Sequence, residues 1–172
     1  MANKPLSAGT RKRIRRMEKA ASRLQRMRLI YLWGGARHGG AMIPPSSAGQ
    51  GWSDCSGLAQ YLCAVAGINL KSPTGSTWSL AGEGQKGTST VFTLFIKNPP
   101  GDEHVICRMR KRPRPWHFGK TKYRWVQCGG SDNPSSGGGP SWFTPGRGMG
   151  LSPEQRIKEF PIHRNFDKAL GL

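Results

Sequence analysis

The chain has 172 residues and carries 27 lysines and arginines against 9 aspartates and glutamates, a formal charge of +18 at pH 7. That length suits one domain of ordinary size with extensions, and so large a charge predicts a polyanionic partner or surface: cell-wall polymer, anionic lipid or nucleic acid. No stretch approaches the roughly 20 apolar residues of a membrane span, and the basic N-terminus lacks the roughly 7–15-residue apolar core of a secretory signal.

Residues 1–9 read as a loose tail. From Thr10 to about Ile30 helix formers dominate, and Ile14, Met17, Ala21, Leu24 and Met27 mark one narrow apolar face of an otherwise basic helix. A glycine-rich loop follows. Then Ser53 or Asp54 opens a second helix, with Leu58, Tyr61, Leu62, Val65 and Ala66 on one face and Gly67 where a C-terminal cap belongs. "TVFTLFIKN", "HVICRMR" and "YRWVQC" read as strands, the last two joined by a Pro-rich basic turn. From Gly129 to Gly150 the composition argues for irregular structure. "SPEQRIKEF" reads as a short helix capped by Ser152, with Pro153 in its first turn and Gln155 in the capping-box position. The order defines an α+β protein.

Four cysteines at irregular spacing do not resemble a disulfide framework, and reduced thiols are the expectation. Cys55 alone sits at the start of a helix, where unpaired N–H groups and the positive end of the dipole favour thiolate. Cys63 lies within the helix, while Cys107 and Cys128 alternate with Val105 and Val126 and so face the core as small apolar residues. A thiol nucleophile needs a base that takes its proton and returns it to the leaving amine. The candidates are His38, His104, His117 and His163, and His104, opening a strand after a polar loop, can meet a helix end. Zinc is not expected: His104 and Cys107, three apart on a strand, point to opposite faces, and no C-x-x-C pair exists. No cofactor is expected either.

"YLWGG" (Tyr31 to Gly35), "DCSGL" (Asp54 to Leu58), "GINL" (Gly67 to Leu70) and the strand-opening "HV" (His104, Val105) together resemble the NlpC family of papain-like cysteine peptidases, over about residues 20–130. The resemblance implies a papain-like fold in which the cysteine-bearing helix packs on a small antiparallel sheet, and hydrolysis of the peptide stems of bacterial peptidoglycan. Carried over residue by residue, it makes Cys55 the nucleophile, His104 the base and Gln127, on the following strand, the group that orients the imidazole. Tyr31 matches the site-lining tyrosine, and Asp54 and Ser56 flank the nucleophile as substrate-binding neighbours. The chain departs from the family where "PPGDE" follows "TVFTLFIKN" instead of preceding the first core strand, where Ile106 replaces the usual glycine after "HV", and in its long basic turn. These departures mark a divergent branch.

The expected division is a basic tail and amphipathic helix over 1–28, the peptidase domain over 29–130, and a Gly/Pro-rich loop with a short C-terminal helix over 131–172, an irregular tail. A wall hydrolase without an export signal resembles a phage product. The expectation is a virion-associated tail lysin, located in the phage tail or, before release, in the host cytoplasm, with peptide stems, anionic wall polymers and other tail proteins as partners. Amidase activity on the same scaffold is a further option. The alternative is a structural virion component on an inherited peptidase fold, touching nucleic acid through its basic segments, with Trp116, Tyr123 and Trp125 available to stack on bases.

Overall fold

Ser7 begins the first helix, α1 (Ala8–Arg26), by accepting the Thr10 N–H on its hydroxyl at 3.0 Å, a serine cap. In this computed structural model, which describes residues 6–34, 45–72, 75–111, 123–129, 138–143 and 153–172, the apolar stripe of α1 is buried at Ile14, Met17, Ala20, Ala21 and Leu24. On the opposite side Arg11, Lys12, Arg15, Arg16, Lys19, Arg23 and Arg26 are exposed, while Arg13 is half-buried and donates to the Ala169 carbonyl. The apolar stripe packs into the same core as the rest of the chain, so the basic helix is built onto the domain and is no detached arm. Among the described residues no helix is long and apolar enough to cross a membrane.

After α1 the chain forms β1 (Ile30–Tyr31), which pairs in parallel with β2 (Gly51–Ser53), Tyr31 opposite Ser53. β2 leads directly into α2 (Cys55–Val65), whose cap is Asp54. Residues Cys55 to Cys63 are all buried, which makes α2 the central helix. Each fully buried leucine such as Leu58 or Leu62 contributes about 1.5–3 kcal/mol. The helix stops as its glycine requires. Gly67 takes φ +68°, the Gly67 N–H bonds to the Ala64 carbonyl, and the Ile68 N–H reaches back to that of Cys63, both at 2.8 Å, the paired bonds of a Schellman ending.

A short helix α3 (Thr77–Leu80) precedes the main sheet, formed by β3 (Gln85–Lys86), β4 (Phe92–Lys97), β5 (His104–Arg110), β6 (Tyr123–Gly129), β7 (Gly139–Phe143) and β8 (Ile162–Asn165). All its pairings are antiparallel, in the order β3-β8-β4-β5-β6-β7. Two further short helices, α4 (Pro153–Lys158) and α5 (Asp167–Leu170), flank β8. The chain is therefore α+β with an antiparallel sheet and the cysteine-bearing helix packed on it.

Both faces of the sheet are covered, and side-chain alternation assigns each residue to one of them. Val105, Cys107 and Met109 of β5 and Val126 and Cys128 of β6 join the core shared with α1 and α2. Phe95 and Ile106 meet Phe160 on the other face, with Trp125 and Phe143 packed alongside. β4 is buried at all six positions because it is central and doubly covered.

The structure corrects two expectations. In place of an irregular C-terminal tail, β8 enters the sheet beside β4, and His163, expected in that tail, stacks on Phe95 with ring centroids 4.5 Å apart. The Gly/Ser/Pro-rich stretch holds a strand, β7, whose pairing with β6 compensates for weak local propensity. Gly139 there has φ +155°, and a Cβ would stand 2.0 Å from the Leu29 carbonyl oxygen, so only glycine lets β7 pass so close to the end of α1. Ser152, His38 and His117 lie outside the described residues, as does Trp116.

Candidate active site

Asp54 organises the entrance to α2. Its Oδ1 accepts the Gly57 N–H at 2.9 Å and the Ser56 hydroxyl at 2.7 Å, and its Oδ2 accepts the Gly34 N–H at 3.1 Å. The carboxylate is 2 % exposed and Ser56 1 %. Both side chains, expected to touch substrate, are directed into the cap, which fixes the backbone around the cysteine and ties the segment after β1 to it. Tyr31 is half-buried against the core, opposite Ser53 in the β1–β2 pair, and so stands beside the chain that delivers Cys55.

The site is made by a local parting of two strands. β5 and β6 are in register from Arg110↔Tyr123 to Cys107↔Val126, and the pairing ends there. Beyond that point His104 to Ile106 pair only with β4, and Gln127 to Gly129 only with β7. The Cys55 sulfur, arriving from the α2 side, accepts the backbone N–H of Val105, the residue after His104. Cys128 turns its thiol to the Ser53 carbonyl at 3.1 Å, closing the helix side of the opening.

From the other face His104 places Nε2 at 3.4 Å from Oε1 of Gln127, which is 2 % exposed. An imidazole donating there keeps its Nδ1 lone pair. Gly129 lies beneath the ring: a Cβ at that position would stand 3.8 Å from His104 Cε1. His104 also lies edge-near Phe160, 6.1 Å between centroids, and pairs across the sheet with Lys97, which is bonded to Asp102 at 2.6 Å. The structure thus gathers Cys55, the start of β5 and Gln127 at one end of the sheet. His163, on β8, is separated from β6 by two strands, β4 and β5, and stacks on Phe95.

The electrostatics differ from the expectation of a resting thiolate. Burial pushes the Cys55 thiol up from an ordinary value of 9.0 to about 12; the Val105 N–H opposes this, the Asp54 charge adds to it, and the N–H groups of Ser56 and Cys55 oppose it again. Desolvation outweighs the helix N-terminus and these backbone N–H groups, so the sulfur rests as a neutral thiol. Burial also raises Cys63, Cys107 and Cys128, and all four cysteines are free. His104 and Cys107 point to opposite faces, and among the described residues no group of three or more His, Cys, Asp or Glu is arranged to hold a metal ion.

Three features were not foreseen from sequence: the Gly34 N–H on Asp54, the Val105 N–H on Cys55, and Gly129 beneath His104. The first two are backbone contacts that side-chain identity does not signal. The third follows from register, because Gly129 would face His104 if the β5–β6 pairing were extended. No family model, curated protein or solved structure matches the chain.

Proposed function

We propose that the chain is a cysteine hydrolase of the NlpC type that cleaves the peptide stems of bacterial peptidoglycan. The observation that carries this reading is the opening between β5 and β6, where a helix-start thiol accepts the Val105 N–H beside a histidine whose ring is oriented by a buried glutamine. In this reading the neutral thiol transfers its proton to His104 as sulfur attacks the stem carbonyl carbon, so no standing thiolate is needed. The Cys55 N–H stabilises the oxyanion. Collapse expels the amine, which takes the proton from the imidazolium, and water activated by the same histidine hydrolyses the thioester. Gln127 holds the tautomer that leaves Nδ1 for these transfers.

We further propose a phage tail lysin as the setting, on the resemblance and the charge. Amidase chemistry would use the same groups on a different bond. Mass spectrometry of purified peptidoglycan after digestion tests the reading and identifies the bond: new termini within the stems support it, a new lactyl terminus indicates an amidase, and unchanged sacculi overturn it. The structural, nucleic-acid-contacting alternative draws on the cationic side of α1, but it leaves the thiol, imidazole and glutamine without a purpose.

A further inference from the structure

At the other end of β5 from His104 lies a cavity of about 560 Å³, between the first turns of α1 and the residues that end the strand. Five cations line it, Arg11, Lys12 and Arg15 from the helix and Arg110 and Lys111 from the strand end, over a floor that includes Leu6 and Ile14. Among the described residues no carboxylate forms an ion pair with any of the five; the ion pair Lys97–Asp102 lies at the opposite end of β5, beside His104. Lys12, Arg15 and Lys111 are exposed and Arg110 is half-buried. Self-repulsion among five like charges lowers stability unless an anion compensates it.

We propose that this cavity binds a phosphodiester chain of the polyol-phosphate kind found in anionic wall polymers; the choice of polymer rests on the hydrolase reading. Guanidinium groups match phosphate oxygens in paired hydrogen bonds, and lysines add point charges. Five cations in so small a volume suit a ligand with one charge per short repeat. Among the described residues the lining contains no aromatic ring, whereas sites for single-stranded nucleic acid use aromatic platforms for the bases. A duplex, whose major groove alone is about 12 Å wide, is too broad to seat inside. Six residue steps at about 3.3 Å separate Arg110 from His104, roughly 20 Å, so a held polymer leaves the catalytic end open.

The test measures binding of defined poly(glycerol phosphate) to the full chain carrying Cys55→Ala, which removes turnover from the readout. Replacing Lys12, Arg15, Arg110 and Lys111 together by glutamine should weaken binding at least about tenfold and reduce the salt slope of log K by up to about 3, at roughly 0.7 per phosphate contact in a single flexible chain. Replacing Arg23 and Arg26, at the far end of α1, should change affinity by no more than about twofold, and unchanged thermal melts would confirm that both variants are folded. Equal losses in the two variants would reduce the site to general charge and overturn the proposal, as would tighter binding of duplex DNA than of the polymer. A protein that binds the polymer through these residues but never cuts a stem would sink the hydrolase reading and leave the site standing. One that cuts stems but binds the polymer no better than the glutamine variant would sink the site alone.

Discussion

At its first residue β5 carries His104, half-buried and bonded to a buried glutamine, one residue before the Val105 N–H that faces the Cys55 thiol; at its last it carries Arg110, on the rim of a cavity lined by five cations. The first end is short of water and rich in backbone donors, so position and desolvation govern its chemistry. The second is open to solvent, where attraction over about 8 Å at physiological salt governs and added ions weaken it. In the proposed readings one end of the strand depends on the placement of single atoms and the other on a local cluster of cations. Substitutions at the two ends should fail in different ways.

The largest effect is expected at the proposed catalytic end. His104→Ala should lower turnover of a soluble stem peptide by three or more orders of magnitude, about 4 kcal/mol or more, since both proton transfers lose their carrier. Gln127→Ala should cost about 10-fold to 100-fold, because it removes the orienting bond and not the proton carrier. A fully active His104→Ala variant beside an inactive His117→Ala variant would move the base to the other histidine.

Asp54→Ala separates organisation from chemistry. It removes a helix cap, worth about 0.5–2 kcal/mol, and strips the buried Ser56 hydroxyl and Gly34 N–H of their acceptor. Urea denaturation should show a loss of about 2–4 kcal/mol. A loss below about 0.5 kcal/mol would mean that the carboxylate is free to serve substrate after all.

The raised thiol gives a pH signature. A thiol with its pKa near 12 is about one part in 10⁵ thiolate at pH 7, so alkylation of resting Cys55 by iodoacetamide should be slow and climb about tenfold per pH unit from 7 to 9. Because the folded value lies above the ordinary 9.0, the stability gained by keeping the proton is complete below pH 9 and lost as pH rises toward 12. The other buried thiols act in the same direction. Melting temperature should therefore fall on the alkaline side. Rapid alkylation with an inflection below pH 7 would indicate a standing thiolate–imidazolium pair instead.

The smallest effect belongs to Gly129→Ala. Its Cβ would make ordinary contact with the His104 ring at 3.8 Å, so turnover should change by no more than a few-fold. A loss comparable to that of His104→Ala would show that the ring must swing through that space.

Much of the frame was legible in sequence because its signals are local. The Asp54 cap, the apolar face of α2, Gly67 at its end and the apolar runs of β4, β5 and β6 are written within a few residues of where they act. β7 and β8 were not, because their strand character comes from partners. "GPSWF" has poor intrinsic propensity, and "IHRN" is held by β4, about 70 residues earlier in sequence. At the site, residue types suggested Cys55, His104 and Gln127, but Asp54 and Ser56 look equally polar whether they face substrate or each other. Only the geometry places them in the cap. The basic cavity was hidden for a related reason: its two cationic runs are far apart in sequence, and packing α1 beside the end of β5 brings them together.

The most direct test of the central claim is turnover of a soluble stem peptide by four purified, folded variants: Cys55→Ala, Cys63→Ser, Cys107→Ser and Cys128→Ser. The serine variants should keep their chemistry, though each buried hydroxyl costs about 1–3 kcal/mol of stability, and Cys55→Ala alone should be inactive. Wild-type turnover by Cys55→Ala would contradict the account.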